Sequence, residues 1–231
     1  MLNVVIGDIH GELEKLKALL GYCREYLGAD VRLIFVGDYV NRGPNSSEVV
    51  QLLRDLQDRN DHVICLRGNH EAALLAAVAG APIYHFLLMG GDATLRSYDA
   101  RSIAEIPASH VEWLKSLPAF YQDELRFYVH AGVDPDCPLD RQPEDALLWI
   151  REPFLSDPRP YERLIVHGHT AQLTFVPEVR ENRINIDTAA VFGGPLTAAI
   201  FSDGSRYPIE FLDSDGRRWD CRLEFPSASA G

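Results

Sequence analysis

Val4-Val5-Ile6-Gly7-Asp8-Ile9-His10-Gly11 decides how this chain is read. Three apolar, β-branched residues predict a short buried strand that stops at a glycine. Beyond the stop stand an aspartate and a histidine two residues apart. In extended backbone, positions i and i+2 point the same way, so both side chains could reach one ion. Four more segments repeat the pattern. Leu33-Ile34-Phe35-Val36 leads into Gly37-Asp38-Tyr39-Val40-Asn41-Arg42-Gly43, and Val63-Ile64-Cys65-Leu66 precedes Gly68-Asn69-His70-Glu71. Phe127-Tyr128-Val129 leads into His130-Ala131-Gly132, and Leu164-Ile165-Val166 into His167-Gly168-His169-Thr170. In an open α/β sheet, ligands bind beyond the carboxyl ends of the strands. One rim would then gather hard oxygen and imidazole donors, a set that suits two divalent metals.

Helices fill the spaces between the first strands. Leu13, Leu16, Leu20, Cys23 and Leu27 predict an amphipathic helix over 12–27. Asn45 with Glu48 reads as a helix start, with Val49, Leu52, Leu53 and Leu56 as the apolar face. A third helix is expected over 71–79, with Glu71 capping it. This βαβαβα order predicts an α/β fold with a largely parallel sheet.

Residues 80–118 are less regular and read as helical in pieces, broken at Gly90-Gly91. Ser109 and Glu112 make a capping-box pattern there. The segment either lines the substrate groove or covers the core, and covering is the default. Runs at 126–130, 163–167, 183–187, 196–201 and 207–212 read as strands of a second sheet. Pro208 makes the last an edge strand. Residues 1–225 are expected to form one domain, and 226–231, small and polar, a disordered tail.

Composition narrows the function. The 231 residues carry a net charge of −12, which argues against a nucleic-acid binder and suits a protein that holds cations. Cys23, Cys65, Cys137 and Cys221 are scattered without a CxxC, which points to a reducing compartment and no zinc–cysteine site. No signal-like stretch opens the chain, and the longest apolar run is too short to span a bilayer. A cytoplasmic protein without membrane contact is expected.

From about Leu2 to about Phe201, the order and content of the five motifs resemble the phosphoprotein phosphatase branch of the metallophosphoesterases. The chain looks most like small bacterial and phage-type serine/threonine protein phosphatases, with symmetrical diadenosine tetraphosphatases as near cousins. The resemblance implies a calcineurin-like, two-sheet α/β/β/α sandwich. It implies one metal on Asp8, His10 and Asp38, and a second on Asp38, Asn69, His130 and His169. Mn²⁺ is the first choice of metal, with Fe, Zn²⁺ or Ni²⁺ as alternatives. Arg42 and Arg151 would hold substrate phosphate, Arg42 through its planar fork. His70 would be the general acid, and a metal-bound hydroxide would attack phosphorus in line. His167 and Asp187 are candidates for supporting the site. His62, His85 and His110 fall outside the motifs and read as surface or cap residues.

Three positions depart from the pattern. Asn41 stands where the protein phosphatases carry an Asp that favours a protonated catalytic histidine. An amide can accept a hydrogen bond but supplies no charge, so the acid should be weaker and good leaving groups favoured. Ala189 replaces a frequent Gly, and Ala171 closes the last motif without a second histidine. The leading expectation is a serine/threonine protein phosphatase acting on phosphoprotein or small phosphoesters. A diadenosine tetraphosphate hydrolase is the alternative, and an inactive metal-loaded module comes third.

Overall fold

The computed structural model describes residues 1–221. The expected tail at 226–231, and the end of the expected domain at 225, lie outside the described residues. The first part of the chain runs β1 (Leu2–Ile6), α1 (Leu13–Leu27), β2 (Val31–Phe35), α2 (Ser46–Arg59), β3 (Val63–Cys65) and α3 (Asn69–Val78). The middle supplies α4 (Tyr84–Phe86), α5 (Asp92–Ser97) and α6 (Ala108–Ser116). Then follow β4 (Phe120–Gln122), β5 (Arg126–Val129), α7 (Glu144–Trp149), β6 (Leu164–His167), β7 (Glu178–Val179) and β8 (Arg183–Asn185). β9 (Thr197–Ser202), β10 (Glu210–Asp213) and β11 (Arg218–Asp220) complete the described elements.

The strands make two mixed sheets, ordered β11-β10-β9-β1-β2-β3 and β4-β5-β6-β8-β7. Parallel pairing is confined to β1-β2-β3 and β5-β6-β8, so the expected parallel sheet is only one end of the first sheet and the centre of the second. Alternation along β1 shows how the layers stack. Val4 and Ile6 face a core shared with Leu16 of α1, Leu53 of α2 and Leu114 of α6. Val5 faces the other way, into a cluster with Tyr128, Val166 and Ile184 of the second sheet. The second sheet repeats this, with Phe127, Val129 and Ile165 turned outward against Leu147 of α7 and Phe154. Both sheets are thus covered on both faces, which is why their central strands read as unbroken apolar runs.

Several local expectations are corrected. β10 pairs with both β9 and β11, so it is not an edge, and Pro208 lies before it rather than in it. Asn45 precedes α2, but its side chain makes no capping bond. Ser109 lies inside α6, which starts after Pro107, so the Ser109/Glu112 capping box does not form. In the middle segment Gly90 breaks the helix with φ 85°, whereas Gly91 keeps φ −65°.

Candidate metal centre

Five strand-end loops, from β1, β2, β3, β5 and β6, converge across the two sheets. The backbone there is strained: His10, Asp38, Asn41, Arg42 and His169 all have φ between 46° and 72°. Non-glycine residues in this region cost free energy and concentrate at functional sites. The approach is also close. A Cβ on Gly68 would stand 2.2 Å from Asp38 Oδ1, and one on Gly168 only 1.9 Å from Asp8 Oδ1. Only glycine lets these backbones come so near the carboxylates.

Asp38 lies between two groups of donors. Its carboxylate with His10 and His70, and again with His130 and His169, makes sets whose ligand atoms lie within 4.8 Å of one another. His10 Nε2 is 3.4 Å from Asp38 Oδ2, and His130 Nε2 is 3.4 Å from Asp38 Oδ1. Asn69 Oδ1 sits 2.7 Å from His130 Nε2 and 3.1 Å from His169 Nδ1. The same end of the Asn69 amide is 3.2 Å from Asp38 Oδ2. With the oxygen inward and His169 Nδ1 unprotonated, lone pairs of four residues face one point. Turning the amide would let nitrogen donate instead, and a cation is what stabilises the oxygen-inward arrangement.

The histidine tautomers agree with metal binding. His10 Nδ1 donates to Val40 O at 2.9 Å and His130 Nδ1 to Val36 O at 3.1 Å, leaving both Nε2 lone pairs aimed inward. Backbone carbonyls therefore hold the far nitrogens. Asp187, expected as a candidate for that role, instead accepts from Ala189 N at 3.0 Å. Asp8 falls outside both donor groups. Its carboxylate accepts His169 N at 3.0 Å.

Burial pushes all these groups towards neutrality. It lowers His10 and His130 to about 3 and His169 to about 2, helped for His10 by the nearby Arg42. It raises Asp8 and Asp38, with Asp187 adding repulsion at Asp8 and Glu71 at Asp38. Asp187 itself is pushed up to about 6, chiefly by burial. Neutral imidazoles and crowded carboxylates are what a divalent cation would use and relieve.

His70, expected as the general acid, is held by Asn41. Asn41 Nδ2 lies 2.8 Å from His70 Nδ1, while Asn41 Oδ1 accepts the Thr94 hydroxyl at 2.8 Å. The amide therefore donates to His70 rather than accepting from it. With the amide in this orientation, Nδ1 accepts and the proton of a neutral ring sits on Nε2. Burial likewise drives its pKa far down. Thr94 Oγ1 also receives Asn41 N at 2.8 Å, as Ser46 Oγ does at 3.2 Å. Thr94 and Ser46 were missed in the sequence, where neither carries a motif or a period. The middle segment thus does more than cover the core: it fixes Asn41 through Thr94, and Gly90 O accepts Arg42 N at 3.1 Å.

Glu71 does more than cap α3. Its carboxylate accepts from Gly68 N, Asp38 N, Tyr39 N and Val40 N at 2.8–3.2 Å, tying two ligand loops together. Arg42 Nη1 lies 2.5 Å from His10 Nε2. Arg151 is exposed in the loop after α7, and its charge acts on His130, His169 and Asp187. Glu152 takes the Ser156 hydroxyl. His167 is buried, turns Nδ1 to Gly168 O and packs edge-on against Phe154, outside the donor groups. His110 is buried, not a surface residue, between Tyr98 and Gln51. Ala189 holds φ 60°, which accounts for a frequent Gly at that place.

The comparisons with known proteins agree with this geometry. A family model described as calcineurin-like phosphoesterase matches residues 1–194. The chain is 36% identical over 143 residues to a symmetrical bis(5'-nucleosyl)-tetraphosphatase of Pseudomonas fluorescens (strain Pf0-1), covering 60% of this chain and 44% of that protein. It thus spans less than half the length of that relative. It is 30% identical to a bis(5'-nucleosyl)-tetraphosphatase PrpE [asymmetrical] of Halalkalibacterium halodurans, covering 93% of this chain and 94% of that protein. A solved structure provisionally described as a diadenosine tetraphosphatase superposes with a TM-score of 0.69 at 26% identity, covering 92% of each chain. With the family model matching residues 1–194, most of its length, this chain belongs to the calcineurin-like phosphoesterases.

Proposed function

We propose that the protein hydrolyses dinucleoside polyphosphates, with diadenosine tetraphosphate as the test substrate. The observation that carries this is the 2.8 Å contact from Asn41 Nδ2 to His70 Nδ1. A neutral His70 can offer its Nε2–H as a hydrogen bond to a leaving oxygen. It cannot give that proton up without becoming an imidazolate. The leaving group must therefore be stable as an anion. A nucleotide phosphate released from an anhydride meets that need, and a seryl or threonyl alkoxide does not. The names of both curated relatives support the same choice. The protein-phosphatase expectation gives way to it, and an inactive metal-loaded module stays the third reading, separated by turnover.

Asp8, His10, Asp38, Asn69, His130 and His169 are assigned to hold two divalent ions. When bound, the ions would activate water and neutralise phosphate charge. Mn²⁺ remains the first choice, and carboxylate, amide and imidazole donors also admit Fe, Zn²⁺ or Ni²⁺. Arg42 and Arg151 orient phosphate oxygens from outside the buried donors. The four free cysteines accord with a reducing, cytoplasmic setting. Among the described residues, no helix is long and apolar enough to cross a membrane.

The test is turnover by Mn²⁺-loaded protein of diadenosine tetraphosphate and of a phosphothreonine peptide, with nucleotide products separated. Higher kcat/KM on the dinucleotide is expected, and the products distinguish symmetrical cleavage (two ADP) from asymmetrical cleavage (ATP and AMP). Faster peptide turnover would overturn the proposal.

A further inference from the structure

Phe192 is a large apolar side chain left 54% exposed on a loop that is otherwise tied down. Phe192 N and Gly194 N both donate to Ala189 O, at 2.9 and 3.0 Å. From α1, Lys15 Nζ donates to Ala190 O at 2.6 Å and to Gly194 O at 2.9 Å. The backbone is fixed on both sides of Phe192 while about half of the residue stays exposed. Such a fixed ring loses little conformational freedom when a partner stacks on it.

Its position is specific. The Arg42 guanidinium carbon lies 5.3 Å from the centre of the Phe192 ring, and the same guanidinium reaches the metal-site His10. Aromatic surface therefore begins where the phosphate-binding arginine ends. Phe175 is 40% exposed and reaches the same loop: its Cδ1 lies 2.7 Å from where a Gly194 Cβ would stand. Phe175 also holds φ 62°, a left-handed conformation that is costly for a bulky residue. Strain of this kind clusters at active sites and ligand clamps.

We infer that Phe192, with Phe175 packed against the same loop at Gly194, is the stacking platform for a nucleobase of the substrate whose phosphates lie at Arg42. This rests on the dinucleotide reading above. Every base has a π-face, so the platform would accept different bases and select for dinucleotides over base-free polyphosphates.

The test compares wild type with Phe192→Ala and Phe192→Trp in the Mn²⁺-loaded enzyme. Two quantities are read: kcat/KM for diadenosine tetraphosphate, and the inhibition constant of inorganic tripolyphosphate against that reaction. Phe192→Ala should lower kcat/KM about 10-fold, the effect of losing one base–aromatic stack, while weakening tripolyphosphate in far smaller proportion. Phe192→Trp should restore kcat/KM. Parallel losses for both ligands would mean that the ring only supports Arg42, and an unchanged kcat/KM would mean that no base stacks there. Either overturns the inference while leaving the dinucleotide activity standing. A wild-type enzyme inactive on diadenosine tetraphosphate would instead remove that reading, and the platform with it.

Discussion

The floor of the site and its rim are built in opposite ways. The floor is buried, strained and locked, with Asp8, Asp38, Asn69 and His130 at most 4% exposed and their loops tied by Glu71. The rim is open: Arg42, Arg151 and Phe192 are exposed, with Phe192 and Gly90 supplied by segments that carry no motif. A floor of this kind dictates what chemistry is available. A rim of this kind decides which molecule receives it. Asn41 and Thr94 bridge the two, and in the proposed function they hold His70 neutral and so carry leaving-group preference from one to the other.

The sharpest way to break this contrast is at the shared carboxylate. Asp38→Asn should cut turnover by at least ~10³-fold, because several kcal/mol of transition-state stabilisation depend on both ions. Bound metal, measured by elemental analysis, should fall with it. Full metal content and activity would remove Asp38 from the floor. Next is Glu71→Gln, which replaces an acceptor of four backbone N–H groups by an amide that presents donors to some of them. A loss of about 2–3 kcal/mol in urea unfolding is expected. An unchanged midpoint would show that the loops hold together without it.

Thr94→Val tests the bridge. Without its hydroxyl, Asn41 loses the partner that fixes its amide, and kcat should fall about 10-fold, as for other supporting groups. Thr94→Ser should keep most activity. Equal losses in both variants would point to packing instead of the hydrogen bond. The smallest effect concerns His167, a buried histidine beside the floor whose pKa is lowered by burial to about 3. Unfolded, a histidine titrates near 6.5. Its folded pKa is depressed, so its contribution is complete above pH ~6.5 and is lost as pH falls towards 3. His167→Gln should flatten that part of the stability–pH profile. An identical slope in the variant would mean that His167 does not titrate on unfolding.

The strand-end placement of the candidate donors was legible in the sequence because these residues follow apolar strands directly. Asp8, His10, Asp38, Asn69, His130 and His169 sit within four residues of a strand end, where a short-range pattern can find them. The layering was legible too, in the unbroken apolar runs of β1, β5 and β6. Contacts made by distant residues were not. Thr94 lies 53 positions from Asn41, and its side chain looks like any helix threonine until the fold brings the two together. The direction of the Asn41–His70 hydrogen bond depends on that contact, so the sequence predicted a weaker acid with the amide accepting, where the structure has the amide donating. Phe192 gave no signal, because a phenylalanine in a short segment reads as core. β11 was missed for being three residues long and exposed on two of them.

The most direct test of the central claim, that Asn41 keeps His70 neutral and thereby selects the leaving group, is one ratio in two proteins. It is kcat/KM for the phosphothreonine peptide over kcat/KM for diadenosine tetraphosphate, in wild type and in Asn41→Asp. A carboxylate at 41 would accept from both Thr94 and a protonated His70, restoring a proton to donate. The ratio should be low in wild type and rise at least ~10-fold in Asn41→Asp, the low end of what general acid catalysis supplies being larger still. A wild-type ratio that already favours the peptide, or one that Asn41→Asp leaves unmoved, would contradict the claim.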